Sequence, residues 1–207
     1  VKKETSPPTR ADFWPQIDAA FEGITLGEGI GYFEGGAIDD WLTPDDPLYQ
    51  QAKARDIRHD WRVMRDYFLH ESFKPEWVAG SRSCFMDLQG LRYYLPVFLG
   101  NPIFDGLLDQ MILCSVKVDV EKQKPPSKQT ACLAELTEAQ KQCLLAVYAR
   151  RYQSVLEKAQ IPFVCSSCGA THIPWVKWDG VSPESYVQDF DETEAYFFLR
   201  KYLSSAG

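Results

Sequence analysis

The sequence predicts an α+β fold, predominantly helical, built as a single domain with one small sheet or hairpin. Three observations lead there. Apolar residues recur three and four positions apart through several long stretches, the pattern of helices with one buried face. A short extended piece at Cys84 to Met86, a turn at Gln89-Gly90 and an aromatic run limited by Pro96 read as a strand or hairpin between Ser83 and Tyr94. With 207 residues, 45% of them hydrophobic and 14% aromatic, the chain can bury one substantial core and is short for two.

Residues 1–9 read as a flexible polar tail ending in Pro7 and Pro8, and residues 10–207 as the domain. A first helix can be capped by Asp12, tolerates Pro15 in its first turn, presents Phe13, Ile17, Ala20, Phe21 and Ile24, and stops at Gly23. After a glycine-rich stretch, AIDDWL reads as a short helix ended by Thr43 and Pro44. Asp46 followed by Pro47 signals the next start, of a helix from Pro47 to Asp60 and onward toward Phe68 that offers Leu48, Ala52, Ile57, Trp61, Met64 and Phe68 to the core. Residues 121–131, with paired prolines, form a polar loop. In LTEAQKQCLLAVYARRYQSVLEKAQ, Thr137 and Gln140 match a capping box ahead of an apolar stripe. A last helix should start at Ser182-Pro183 and run to about Leu203.

Charge and cysteine usage limit the function classes. Acidic residues outnumber basic ones 29 to 22, so the net charge of −7 gives the chain no overall attraction for a phosphate backbone, and nucleic acid is not an expected partner. The longest apolar neighbourhood is interrupted by Asn101, Pro102, Asp105, Asp109 and Gln110, so no membrane span is expected. The opening residues lack the apolar core of a secretory signal, and six irregularly spaced cysteines then read as reduced thiols in the cytoplasm.

Two stretches carry unusual chemistry. GITLGEGIGYFEGGAIDDW, Gly23 to Trp41, resembles a phosphate loop only superficially: a helix precedes it, Glu28 and Glu34 repel anions, and the next lysine is Lys53. Glycines that supply positive φ and close backbone approach are one alternative. Another is an acidic site of Glu34, Asp39 and Asp40 with Asp56, Asp60 and His59, since hard cations take several oxygen ligands. Asp39 and Asp40 diverge by about 100° on a helix, so one of them would instead pair with Arg55 or Arg58.

The second is PFVCSSCGATHIPW, in a Cys-containing insert at 164–175. Cys165, Cys168 and His172 follow C-x2-C-x3-H, half of a zinc knuckle that needs a fourth ligand from elsewhere. A redox pair and an unligated pair in a hairpin remain open beside zinc. No H-E-x-x-H, nucleophile elbow, Walker lysine or deaminase signature is present, and nothing in the spacing of Cys84 with His59 or His70 supports a nucleophilic pair.

ITLGEGIGYFEGGAIDDW, then ARDIRHDW, then SCFMDLQGLRYYLPVFL, resemble a family of small bacterial proteins catalogued as a domain of unknown function. Its pattern runs roughly L-G-x-G-I-G-x-x-E-x-x-x-I-D-D, R-x-x-D-x-x-x-x-W and S-F-x-D-x-x-G-x-R-x-x-L-P. Here it falls on Leu26, Gly27, Gly29, Ile30, Gly31, Glu34, Ile38, Asp39 and Asp40, on Arg55, Asp56, Asp60 and Trp61, and on Phe85, Asp87, Gly90, Arg92, Leu95 and Pro96. The match covers about the first half of the chain, and the insert at 164–175 lies outside that pattern. The resemblance implies no established chemistry, but it marks positions: Asp87 and Arg92 flank Gly90, and Arg92 could tie the glycine stretch down through Asp39, Asp40 or Glu34.

A small, acidic, cytoplasmic chain without an assembled catalytic set points to a protein that binds another protein, most concretely an immunity-type inhibitor of a secreted bacterial toxin that is itself basic. Its binding residues would be Glu34, Asp39, Asp40, Arg55, Asp56, Asp60, Asp87 and Arg92. The rivals are a metal-dependent enzyme using Glu34, Asp39, Asp40 and His59, and a recognition module stabilised by zinc on Cys165, Cys168 and His172. Apart from that zinc, no cofactor is expected.

Overall fold

Pro15 lies in the first turn of α1, Trp14–Ala20, where the missing amide costs nothing, after a 3₁₀ turn at Arg10–Phe13. In the computed structural model the described residues are 10–70, 81–159, 163–164, 171–172 and 191–204. By backbone contacts the chain divides into two compact units, Val1–Leu144 and Leu145–Gly207.

In the first unit, Gly23 at φ 75° ends the excursion after α1, and an irregular stretch leads to α2, Tyr32–Asp39. Its C-terminal end is a Schellman motif: Trp41 N–H donates to the Ile38 carbonyl and Leu42 N–H to that of Ala37, both at 3.0 Å. The left-handed position of that motif, usually glycine, is held by Trp41 at φ 60°.

Next comes α3, Pro47–Arg55, whose Asp46 cap accepts from Leu48 N–H at 2.8 Å, as the Asp-Pro signal predicts. The helix stops five residues short of the expected Asp60. Asp56 leaves it to serve another element, and Asp60 then caps a separate helix α4, Trp61–His70, by accepting from Arg62 N–H at 2.9 Å. Trp61, Met64 and Phe68 are buried as expected, whereas Leu48 is exposed.

The sheet or hairpin expected between Ser83 and Tyr94 is not formed, which corrects the α+β assignment: the fold is predominantly helical. That stretch is α5, Ser81–Phe85, followed by α6, Leu88–Gly100. Asp87 caps α6 by accepting from Gly90 N–H at 2.7 Å, so Gln89-Gly90 is a first helical turn, not a hairpin turn. Ten of the thirteen residues of α6 are buried. A helix covered on nearly all sides has no polar face, and its aromatic run therefore resembles a buried strand in one dimension. Gly90 is required by a neighbour: a Cβ there would lie 1.9 Å from the Ile30 carbonyl oxygen.

Asn101 turns the chain by 118° out of α6 and accepts from Ile103 N–H at 3.1 Å. A 3₁₀ turn, Pro102–Phe104, leads into α7, Asp105–Gln110, a π-helical segment, Met111–Lys117, and α8, Val118–Glu121. Within the loop expected at 121–131, α9, Lys128–Ala134, already starts, fixed by Ser127 N–H and Thr130 Oγ1 donating to Asp119 Oδ2 at 2.8 and 2.6 Å. The capping box then opens α10, Glu138–Ala159: Thr137 N–H donates to Gln140 Oε1 at 3.0 Å and Gln140 N–H to Thr137 Oγ1 at 3.3 Å.

The core of this unit is aromatic. Tyr32, Phe33, Phe68, Tyr94, Phe98 and Phe104 meet mainly edge to face, with Phe98 and Phe104 centroids 4.8 Å apart. Each such buried ring contributes on the order of 1.5–3 kcal/mol.

The boundary between the units falls within α10. In the second unit, Tyr152 of α10 stacks on Tyr196 of α11, Asp191–Ser204, at 5.2 Å. Ala195, Leu199 and Leu203 of α11 are buried. Its expected start at Ser182-Pro183 lies outside the described residues. The one strand pairing among the described residues is a two-residue antiparallel ladder of β1, Phe163–Val164, with β2, Thr171–His172, too short to make a sheet class. No single described helix is long and apolar enough to cross a membrane.

Candidate functional site

Asp56, 3% exposed, organises the glycine stretch from a distance. Its carboxylate accepts from Phe33 N–H at 3.1 Å and Glu34 N–H at 2.9 Å, capping α2 from 22 residues away, and Tyr94 Oη donates to the same Oδ1. Gly31 makes room for it: a Cβ there would sit 2.3 Å from the Asp56 carboxyl carbon. Burial raises the Asp56 carboxyl above its ordinary value even though the Tyr94 hydroxyl and both amides favour the ionised form. Burial first, then the Asp56 charge, pushes the Tyr94 phenol well above 10, so its proton stays in the contact.

Glu34, 2% exposed, is saturated by three partners. Tyr49 Oη donates at 2.6 Å, Arg58 Nη2 at 2.8 Å, and Lys53 Nζ lies at 3.2 Å. Burial alone would raise this carboxyl, but the bonds from Tyr49, Lys53 and Arg58 outweigh it and hold the group below 4.5. Burial, then Glu34, pushes the Tyr49 phenol up to about 12. Arg58 Nη1 also donates to the Gly27 and Gly29 carbonyls at 2.7 and 3.0 Å, so one guanidinium ties the loop backbone to the buried carboxylate.

The other expected site residues do not converge with these two. Asp39 and Asp40 sit at the C-terminal end of α2 and form no ion pair among the described residues. Arg55 donates to Tyr67 Oη at 2.8 Å and lies 3.9 Å over the Phe33 ring. Asp60 caps α4 and approaches Arg62 Nη1 at 3.5 Å. Arg92 pairs with Glu135 at 3.0 Å, not with Glu34, Asp39 or Asp40; the tie expected of it is made by Arg58. Among the described residues no three His, Cys, Asp or Glu side chains gather to hold a metal. Cys165 and Cys168 lie outside the described residues, and His172 is described only as backbone paired with Phe163. The buried thiols of Cys132 and Cys143 are pushed up to about 12 by burial, which removes them as nucleophiles at neutral pH.

Spacing gave no signal for Tyr49, Lys53 or Tyr94, because their partners are 15 to 38 residues away. A groove of about 540 Å³ is lined by Gly23, Ile24, Thr25, Asp87, Leu88, Gln89 and Arg92. Asp87 and Arg92 share this wall, but the first is bonded to Gly90 and the second to Glu135.

Along the sequence the charge is unevenly distributed, although Lys53, Arg58, Arg62 and Arg65 reach back onto the acidic stretch. From Ala11 to Ala52 the chain holds nine carboxylates and no Lys, Arg or His, a formal −9; with the whole chain at −7, the remainder carries +2. Asp18 and Glu34 are held in ion pairs. Glu22, Glu28, Asp40 and Asp45 are exposed.

No curated protein and no solved structure matches the chain. A family model does match, over residues 9–171. The range extends beyond the first half covered by the recognised motifs and takes in Cys165 and Cys168, while His172 lies just past its end. With well over half its length in that match, the protein belongs to the family of unknown function DUF6714.

Proposed function

We propose that this chain is a protein-binding protein of bacterial origin, an immunity-type inhibitor that occludes a basic secreted toxin. The observation that carries the proposal is a set of exposed carboxylates, Glu22, Glu28, Asp40 and Asp45, on a stretch from Ala11 to Ala52 whose own sequence holds no Lys, Arg or His. Such a surface accelerates encounter with a basic partner and repels acidic ones. The buried carboxylates support the same reading. Glu34 and Asp56 are bonded on every side by structural partners, so they shape the surface without presenting a reactive group to a cavity.

Co-expression with the product of the adjoining coding region tests this. The expected result is a stoichiometric complex that blocks the partner's toxicity and associates more slowly as salt rises. Absence of any complex, together with turnover of a small molecule by the purified chain, would replace the proposal with an enzyme.

A further inference from the structure

We propose that Trp41 is the anchor of the contact surface, and that it inserts into a cleft of a basic protein lined by arginine or lysine; this rests on the binding-protein reading above. Four observations converge on the segment DDWLTPDD. First, Trp41 is 92% exposed, so the largest side-chain type contributes almost no burial to the fold. Second, it occupies the left-handed position of a Schellman motif at φ 60°, where glycine would sit without strain. A residue kept where it is both strained and unburied is serving something other than the fold.

Third, its ring lacks a partner that the other described tryptophans possess. Arg65 lies 4.9 Å from the Trp14 ring and 5.7 Å from that of Trp61, and Arg62 lies 5.1 Å from Trp61. Trp41 has no cation over its face among the described residues, and the nearest basic residue in sequence is Lys53. The indole is the best aromatic acceptor for a cation, and Asp39, Asp40, Asp45 and Asp46 around it favour a partner that brings one.

Fourth, the segment is braced before any partner arrives. Asp46 N–H donates to the Thr43 carbonyl at 2.8 Å and Gln50 Nε2 to that of Pro44 at 2.7 Å, while the Schellman bonds fix the other side. A pre-set loop loses little freedom on docking. Leu48, 58% exposed, adds an apolar neighbour in sequence. A second copy docked through the same segment is a poor occupant, since it would bring four more aspartates against these four.

The test uses the purified product of the adjoining coding region as probe, against the full chain and its Trp41→Gly and Trp41→Phe variants. Trp41→Gly should keep or raise the melting temperature and weaken binding about 30-fold or more, as expected for an anchor residue. Trp41→Phe should retain part of the affinity. Equal binding by wild type and Trp41→Gly would overturn the assignment of this surface and leave the binding-protein reading intact. A fall of several degrees in the melting temperature of Trp41→Gly would overturn it by making the residue structural. Self-association of the wild type that is lost in the variant would overturn it in favour of a second copy. Failure of the wild type to bind the probe would remove the underlying reading, and the surface with it.

Discussion

The two ends of α2 solve the same physical problem in opposite ways. At the N-terminal end, the free amides of Phe33 and Glu34 are met by the buried Asp56 carboxylate, which is itself held by Tyr94. At the C-terminal end, the free carbonyls of Ala37 and Ile38 are met by backbone amides alone, and the residue that turns the chain leaves its side chain in solvent. One end converts every polar group into internal structure. The other satisfies the backbone and displays an aromatic ring among aspartates. A helix terminus can therefore be read for function by asking whether its side chains are used up in closing it.

The comparison breaks most visibly at Asp56. Asp56→Ala leaves two amides and a tyrosine hydroxyl buried without an acceptor and should destabilise the protein by about 4 kcal/mol in chemical denaturation. A loss below about 1 kcal/mol would mean that the N-terminal closure is not structural. Gly90→Ala comes next: a methyl directed at the Ile30 carbonyl should cost about 2–3 kcal/mol, measured in the same way.

Glu34 sharpens the comparison through pH. Its folded carboxyl titrates below 4.5, so its contribution to stability is complete above that value and is lost as pH falls through the folded one. Glu34→Gln should flatten the acid limb of stability against pH, while Asp56, raised by burial, works against it by favouring the folded state as pH falls toward its unfolded value. A wild-type acid limb unchanged by Glu34→Gln would remove Glu34 from the account. The smallest effect belongs to the exposed end. Trp41→Gly should stabilise the chain by about 1 kcal/mol by relieving the left-handed conformation, as a small rise in melting temperature.

What the sequence made legible follows the range of the interaction. Asp46-Pro47 and the Thr137–Gln140 box were readable because a cap is decided by groups two or three residues apart. The helix α6 was not, because its strand-like aromatic run is settled by burial on nearly every side, which no local pattern records. At the candidate site, the glycines of the stretch were readable as devices for turns and close approach, and Gly31 is needed for the latter, whereas Gly90 read as a hairpin turn and is in fact a close-approach position in a helix. Their partners were not readable, since Asp56 reaches Phe33 across 23 residues and Tyr94 reaches Asp56 across 38. Trp41 escaped notice for a different reason: the usual mark of a Schellman ending is a glycine, and here that mark is missing.

Because one carboxylate joins the first turn of α2 to the middle of α6, these helices cannot open separately without stranding a buried charge. The amides of Phe33 and Glu34, although flanked by glycines, should then exchange with solvent as slowly as those of α6, reporting one cooperative unit that latches together two helices whose joined residues, Tyr32 and Tyr94, lie 62 positions apart.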